Sequence, residues 1–249
     1  MLEIKNISVG YGDYNVLQKA SADFRKGALT SIIGVNGCGK STLLKAALGI
    51  IPLSEGEIAI DGENIQSLGR VGLARKASYL SQGKNTPDMT VSQLVLHGRF
   101  PHLSYPRRYS SNDRKIADSA MEAVGIADLA HKPLCDLSGG MRQNAYIAMA
   151  LTQDTDYILL DEPTTYLDIG HQLELMKLLR KLADSGKGII TVMHDLPMAF
   201  DFSDEIMVID GGRIVAKAPP TEISRLSVIE DVFGVRLKKT EEGRYCYYY

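Results

Sequence analysis

No stretch of this 249-residue chain stays apolar for the roughly 20 residues that a membrane-crossing helix needs, so the sequence predicts no helical span. Residues 1–15 also lack the apolar core of a secretory signal. Cysteine is scarce and odd in number: Cys38, Cys135 and Cys246 lie far apart, which argues against a disulfide framework and fits a reducing compartment. No Cys/His cluster has metal-ligand spacing. An excess of one charge is missing too. A net charge of -2 offers no broad attraction to nucleic acid or anionic lipid, and leaves only local patches such as Arg107-Arg108. There is no internal repeat, low-complexity tract or flexible linker. These absences predict a cytoplasmic protein of ordinary globular make-up, 45% hydrophobic and 23% charged, long enough for one large α/β domain or two small ones.

What is present begins with alternation. Leu2, Ile4 and Ile7, then Val16-Leu17 and residues 22–24, read as short strands. Residues 27–34 form a buried strand running into a glycine loop, and residues 41–50 a helix stopped by Gly49 and Pro52. Residues 56–62 read as a strand and turn. From about Thr90 to Ala130 the period becomes helical, with Val91, Leu94 and Val95 on one face and Ile116, Ala120, Ala123 and Val124 on another. A polar loop, 101–112, separates them, which predicts an inserted helical subdomain. The strand–helix rhythm then resumes at 157–160, 173–183 and 188–193, and implies a mostly parallel sheet covered on both faces. Residues 205–215 read as a hairpin, and the aromatic tail 243–249 as a short edge strand.

Two motifs carry chemistry. Gly34-Val35-Asn36-Gly37-Cys38-Gly39-Lys40-Ser41, followed by Thr42, has the P-loop spacing, with a strand before it and a helix after it. Glycines let the backbone turn its N–H groups inward as an anion nest, and the helix N-terminus adds its dipole. Lys40 can then reach the β- and γ-phosphates and Ser41 can ligate Mg²⁺. The strand at 157–160 delivers Asp161 and Glu162 at its carboxyl end, where open α/β sheets bind ligands. Asp161 is the candidate Mg²⁺ residue, and Glu162 the candidate general base for an attacking water. Cys38 leaves two readings open: a reactive thiol near a helix N-terminus, or an inert loop position.

Between these motifs lies Leu137-Ser138-Gly139-Gly140-Met141-Arg142-Gln143, which resembles the signature of ATP-binding-cassette (ABC) ATPases. Four further elements occur in that family's order. Tyr11 matches the aromatic that stacks on adenine, and Gln82 the glutamine that meets both the metal–water cluster and the transporter. Leu167-Asp168 matches the D-loop, and His194 the histidine that contacts the γ-phosphate. Each has a plainer reading: Tyr11 as a turn aromatic, Gln82 as a loop amide, His194 as a core histidine, Ser138 as a helix cap. Met141 replaces the usual glutamine, and Met149 stands where many relatives carry arginine.

The resemblance covers about the first 220 residues. It implies a P-loop NTPase core with an antiparallel β subdomain and an inserted α-helical subdomain: 1–84 and 141–220 as nucleotide-binding core, 85–140 as helical subdomain, 221–249 as extension. The implied ligands are ATP and Mg²⁺. ATP would lie between the P-loop of one subunit and Ser138, Gly139 and Gly140 of another, in a head-to-tail homodimer. Residues 96–102 and 231–235 resemble importer ATPases for iron–siderophores, haem and cobalamin. That branch implies two integral-membrane permease subunits, an external substrate-binding protein, and a place on the cytoplasmic face of the membrane. No nucleic acid partner is expected. The competing reading is a soluble ABC ATPase such as an iron–sulfur assembly scaffold.

Overall fold

The computed structural model describes residues 1–12, 14–82 and 86–248. In chain order the elements are β1 (Leu2–Tyr11), β2 (Tyr14–Phe24), β3 (Leu29–Ile33), α1 (Lys40–Ala47), β4 (Glu55–Ile60), β5 (Glu63–Asn64), α2 (Ile65–Lys76) and β6 (Ala77–Leu80). Then come α3 (Val91–His97), α4 (Ser111–Ala123), α5 (Gly139–Thr152), β7 (Tyr157–Asp161), α6 (Ile169–Asp184), β8 (Gly188–Val192) and α7 (Leu196–Phe202). The chain finishes with β9 (Glu205–Asp210), β10 (Arg213–Ala218), α8 (Pro220–Ile223), α9 (Val228–Phe233), β11 (Arg236–Lys239) and β12 (Tyr245–Tyr248).

The central sheet has the order β10-β9-β3-β8-β7-β6, parallel except for β10. Every residue of β3, β7 and β8 is buried, as strands covered on both faces must be. Antiparallel pairing builds the second sheet, β2-β1-β4-β5. Its opening strands are long, not short as the alternation predicts. Leu2 and Ile4 are buried, then Ile7 and Val9, so the buried phase switches between Ile4 and Ile7. The β1–β2 register shifts there, beside the positive-φ residues Asn6 and Lys19. A bulge of this kind changes the phase without ending the strand.

Helices α3, α4 and α5 pack on one another, and Val95, Ala117, Met121 and Ala145 share their core. Helix α4 begins at Ser111, inside the stretch expected as loop, because Ser110 and Asp113 form a reciprocal capping box. Asp113 also pairs with Arg99 at 2.9 Å, both side chains only about a tenth exposed, and Arg99 donates to Thr152 O at 3.2 Å. The expected boundary at 84/85 lies outside the described residues. No helix among the described residues is long and apolar enough to cross a membrane.

The aromatic tail forms a short edge strand, as its pattern predicts. β12 pairs with β11 in a two-stranded sheet of its own, and is not an edge of either larger sheet. Tyr245 anchors it: its ring lies 5.2 Å from that of Phe200, and its N–H donates to Asp201 Oδ1 at 3.0 Å. Tyr249 lies outside the described residues.

The Arg99–Asp113 pair supports a stability prediction. Asp113→Ala leaves a mostly buried guanidinium without its counter-charge, which costs about 3 kcal/mol. The expected fall in Tm is on the order of 6 to 12 °C for a chain of this size. Hydrogen bonds from Ser110 and the Arg99 guanidinium hold the Asp113 carboxyl at about 2, below its ordinary 3.8. A depressed carboxyl contributes stability above its unfolded value and loses it as pH falls through the folded one. The penalty of Asp113→Ala should therefore be full at neutral pH and shrink from about pH 4 towards pH 2 in thermal melts. A penalty independent of pH over that range would contradict the assignment.

Candidate active site

Parallel strands deliver their carboxyl ends to one edge of the sheet, and here four neighbours do so. The loop from β3 carries residues 34–41, β8 is followed by His194, β7 ends in Asp161 and Glu162, and β6 leads to Gln82. A cleft of about 350 Å³ forms there, lined by Val16, Asn36, Gly37, Gly39, Lys40, Ser41, Thr42, Gln82, Glu162 and His194. A larger groove of about 780 Å³ lies elsewhere, among Ser8, Gln18, Glu55 and Arg213. None of the strand-end residues lines it, so volume is the poorer guide to chemistry here.

The loop needs its glycines. A Cβ on Gly34 would sit 2.2 Å from Ile209 O, and one on Gly39, at φ 110, would sit 2.6 Å from the Leu17 side chain. Lys40 Nζ donates to the carbonyls of Gly34 at 2.8 Å and Val35 at 3.0 Å, which keeps the ammonium folded against the loop. At Cys38 burial favours the inert of the two readings. The residue is buried, and burial pushes its thiol up, which the Lys40 charge only partly offsets.

Asp161 is buried and its two oxygens are separately held. Ser41 Oγ donates to Oδ1 at 2.8 Å, and the Tyr79 hydroxyl donates to Oδ2 at 3.1 Å. Burial pushes the Asp161 carboxyl up, against those two hydrogen bonds. Burial and the neighbouring carboxylate also push the Tyr79 hydroxyl up. The next residue, Glu162, takes φ 52, a left-handed conformation costly for a side chain of its size. Gln82 Nε2 donates to its Oε2, and His194 Nε2 lies 2.6 Å from its Oε1. Gln82, Glu162 and His194 thus form one cluster at the cleft.

Other residues singled out by the sequence stand apart. Ser138 is the exposed N-cap of α5, accepting from Met141 N at 3.3 Å. Neither Ser138 nor Gly140 lines the P-loop cleft. Gly139 lines a second cleft of about 280 Å³ with Gln82, Asp161, Glu162 and Tyr166. Asp168 caps α6 through His171 N at 3.0 Å and pairs with His171 Nδ1 at 2.7 Å, which lowers its carboxyl and raises the imidazole. Tyr11 ends β1, more than half exposed and outside the cleft, although the partner strand supplies Val16. Met141 is exposed, while Met149 packs on the helical core, so no arginine-type contact forms there.

Sequence reasoning missed Val16 and Tyr79. Val16 reads as one more apolar strand residue. Tyr79 lies on β6, three positions before Gln82, and this four-residue strand has too little alternation to stand out between the turn at Gly62 and the helix at Val91.

A P-loop on the central strand, an acidic pair on the next strand but one, and a capped glycine pair outside the cleft define an ATP-binding cassette. Comparison gives the same class: the family model described as "ABC transporter" matches residues 17–165, and the chain belongs to that family as an ATP-binding, ATP-hydrolysing subunit. It is 41% identical over 93% of its length to the ferric enterobactin transport ATP-binding protein FepC of Escherichia coli, covering 86% of that protein. It is also 38% identical to the iron(3+)-hydroxamate import ATP-binding protein FhuC of Bacillus subtilis, covering 94% of this chain and 88% of that one. Among solved structures, the dimeric cassette MJ0796 superposes with a TM-score of 0.79 at 27% identity, over 88% of this chain and 99% of that one. The iron–sulfur scaffold alternative finds no support among these relatives.

Proposed function

We propose that this chain powers an importer of ferric siderophore-type cargo, working as a head-to-tail homodimer bound to two membrane permease subunits that an external binding protein supplies. The carrying observation is the strand-end cluster of Lys40, Ser41, Gln82, Asp161, Glu162 and His194, in a chain about 40% identical to siderophore-transport subunits over 93% of its length. The work site would lie at the cytoplasmic face of the membrane.

Ser41 and Asp161 would hold Mg²⁺, with Gln82 nearby. The fit rests on their chemistry: a buried carboxylate and a hydroxyl are hard oxygen donors. No group of three or more His, Cys, Asp or Glu poised for a metal occurs among the described residues, so the ion's other ligands would be phosphate oxygens and water. When bound, Mg²⁺ supplies charge neutralisation across the phosphate oxygens. Loop amides and Lys40 hold the β- and γ-phosphates. Glu162 takes a proton from water, whose oxygen attacks the γ-phosphorus while the bond to the β-phosphate oxygen breaks, leaving ADP and inorganic phosphate. His194 orients Glu162 and meets the γ-phosphate. Cys38 would support the loop from within rather than touch nucleotide through its thiol. Tyr11, beside the Val16 strand, would stack on the adenine.

An apolar groove of about 650 Å³ between α1, α2, β6 and α5, lined by Ile50, Ile65, Leu73 and Tyr79, supports a permease helix as the mechanical partner. Uptake of radiolabelled ferric siderophores in cells lacking the chain tests the reading. Uptake of at least one siderophore class should be lost and restored by the wild-type chain. Normal uptake of catecholate, hydroxamate and carboxylate classes alike would contradict it.

A further inference from the structure

We propose that Tyr79 is a positioning residue for the metal-holding carboxylate: its hydroxyl locks the rotation of Asp161 so that Oδ1 stays turned towards Ser41. The inference rests on the reading of Ser41 and Asp161 as the magnesium-holding pair.

The argument starts from strand register. β6 and β7 are parallel neighbours, and Tyr79 pairs with Leu159. Side chains two apart on a strand share a face, so Leu159 and Asp161 point the same way, and Asp161 lies about 6.6 Å further along than Leu159. A side chain on Tyr79 must cover that offset and still end in a donor. Serine or threonine is too short, and phenylalanine reaches but donates nothing. Tyrosine does both, and its hydroxyl is 3.1 Å from Oδ2.

The carboxylate it holds is 3% exposed, so water does not replace a missing donor freely. Its two oxygens are divided without overlap: Ser41 on Oδ1, Tyr79 on Oδ2. Removal of the Tyr79 hydroxyl leaves Oδ2 without its donor and frees the carboxylate to turn about its Cβ–Cγ bond. Oδ1 then loses its fixed aim at Ser41. Two residues beyond the end of β6, Gln82 donates to Glu162, so this strand and the residues that follow it reach both members of the acidic pair.

The test measures metal binding apart from turnover. Mn²⁺ is titrated, by electron paramagnetic resonance, into the full chain saturated with a non-hydrolysable ATP analogue. Tyr79→Phe should weaken Mn²⁺ about tenfold, as loss of a partner behind a metal ligand does. Affinity for the analogue without metal should not change. Tyr79→Met, which removes ring and hydroxyl together, should weaken Mn²⁺ by a similar factor. Wild-type Mn²⁺ affinity in Tyr79→Phe, or a loss confined to Tyr79→Met, overturns the proposal, the second outcome by assigning the effect to ring packing. Asp161→Asn separates the two readings. If it binds Mn²⁺ like wild type, the underlying assignment of Asp161 fails. If it binds weakly while Tyr79→Phe binds normally, only the role of Tyr79 fails. Adding Tyr79→Phe to Asp161→Asn should cause no further loss.

Discussion

Glu162→Gln is expected to lower ATP turnover on the order of 100- to 10,000-fold while leaving ATP affinity within about twofold. The glutamine amide is nearly isosteric with the carboxylate but cannot accept a proton from water. The strained φ of 52 belongs to the loop as it leaves β7 and should persist, since Asp161 and its partners on either side are unchanged. One contact does change character: Gln82 donates to one carboxylate oxygen and His194 faces the other, and an amide offers only one oxygen to the two. ATP with Mg²⁺ should hold two copies of the variant together in sedimentation, since the step that loosens them no longer runs. Near-normal hydrolysis by Glu162→Gln would remove Glu162 from the role of base.

Much of this site was legible because its residues sit where strand ends meet loops, and glycines, lysine and paired acids are rare enough there to stand out. Residues 34–41 announce a phosphate loop through spacing alone, and a buried strand announces where Asp161 must emerge. Tyr79 was not legible. Its role depends on the parallel register between β6 and β7, a long-range property that no local pattern encodes. Val16 is similar: its strand is readable, but its place beside Gly39 is set by how the antiparallel sheet packs on the P-loop. The bulge at Asn6 and Lys19 disguised one long hairpin as short strands by switching the apolar phase. Cys38 left two readings open for another reason: proximity to a helix N-terminus lowers a thiol's pKa only when burial does not dominate, and burial is invisible within a loop motif.

Assembly is the second large effect. In one copy, Lys40 lines the P-loop cleft, whereas Ser138 caps α5 on the exposed surface outside it. A capped helix start with bare glycines suits a phosphate, and Ser138, Gly139 and Gly140 do not line the P-loop cleft of their own copy. In the head-to-tail dimer proposed above, a second copy would supply that cleft, and ATP would lie between Lys40 of one subunit and Ser138 of the other. The direct test uses mixed dimers carrying Lys40→Ala and Ser138→Ala. With both changes in one subunit, each of the two sites is damaged, one lacking Lys40 and the other lacking the opposing Ser138. With one change in each subunit, a single site takes both losses and the other stays whole. Tightly occluded ATP, counted per dimer, is the readout, because turnover can require both sites at once. The split arrangement should occlude about one ATP per dimer and the same-subunit arrangement close to none, and equal occlusion by the two would contradict a nucleotide site shared between copies.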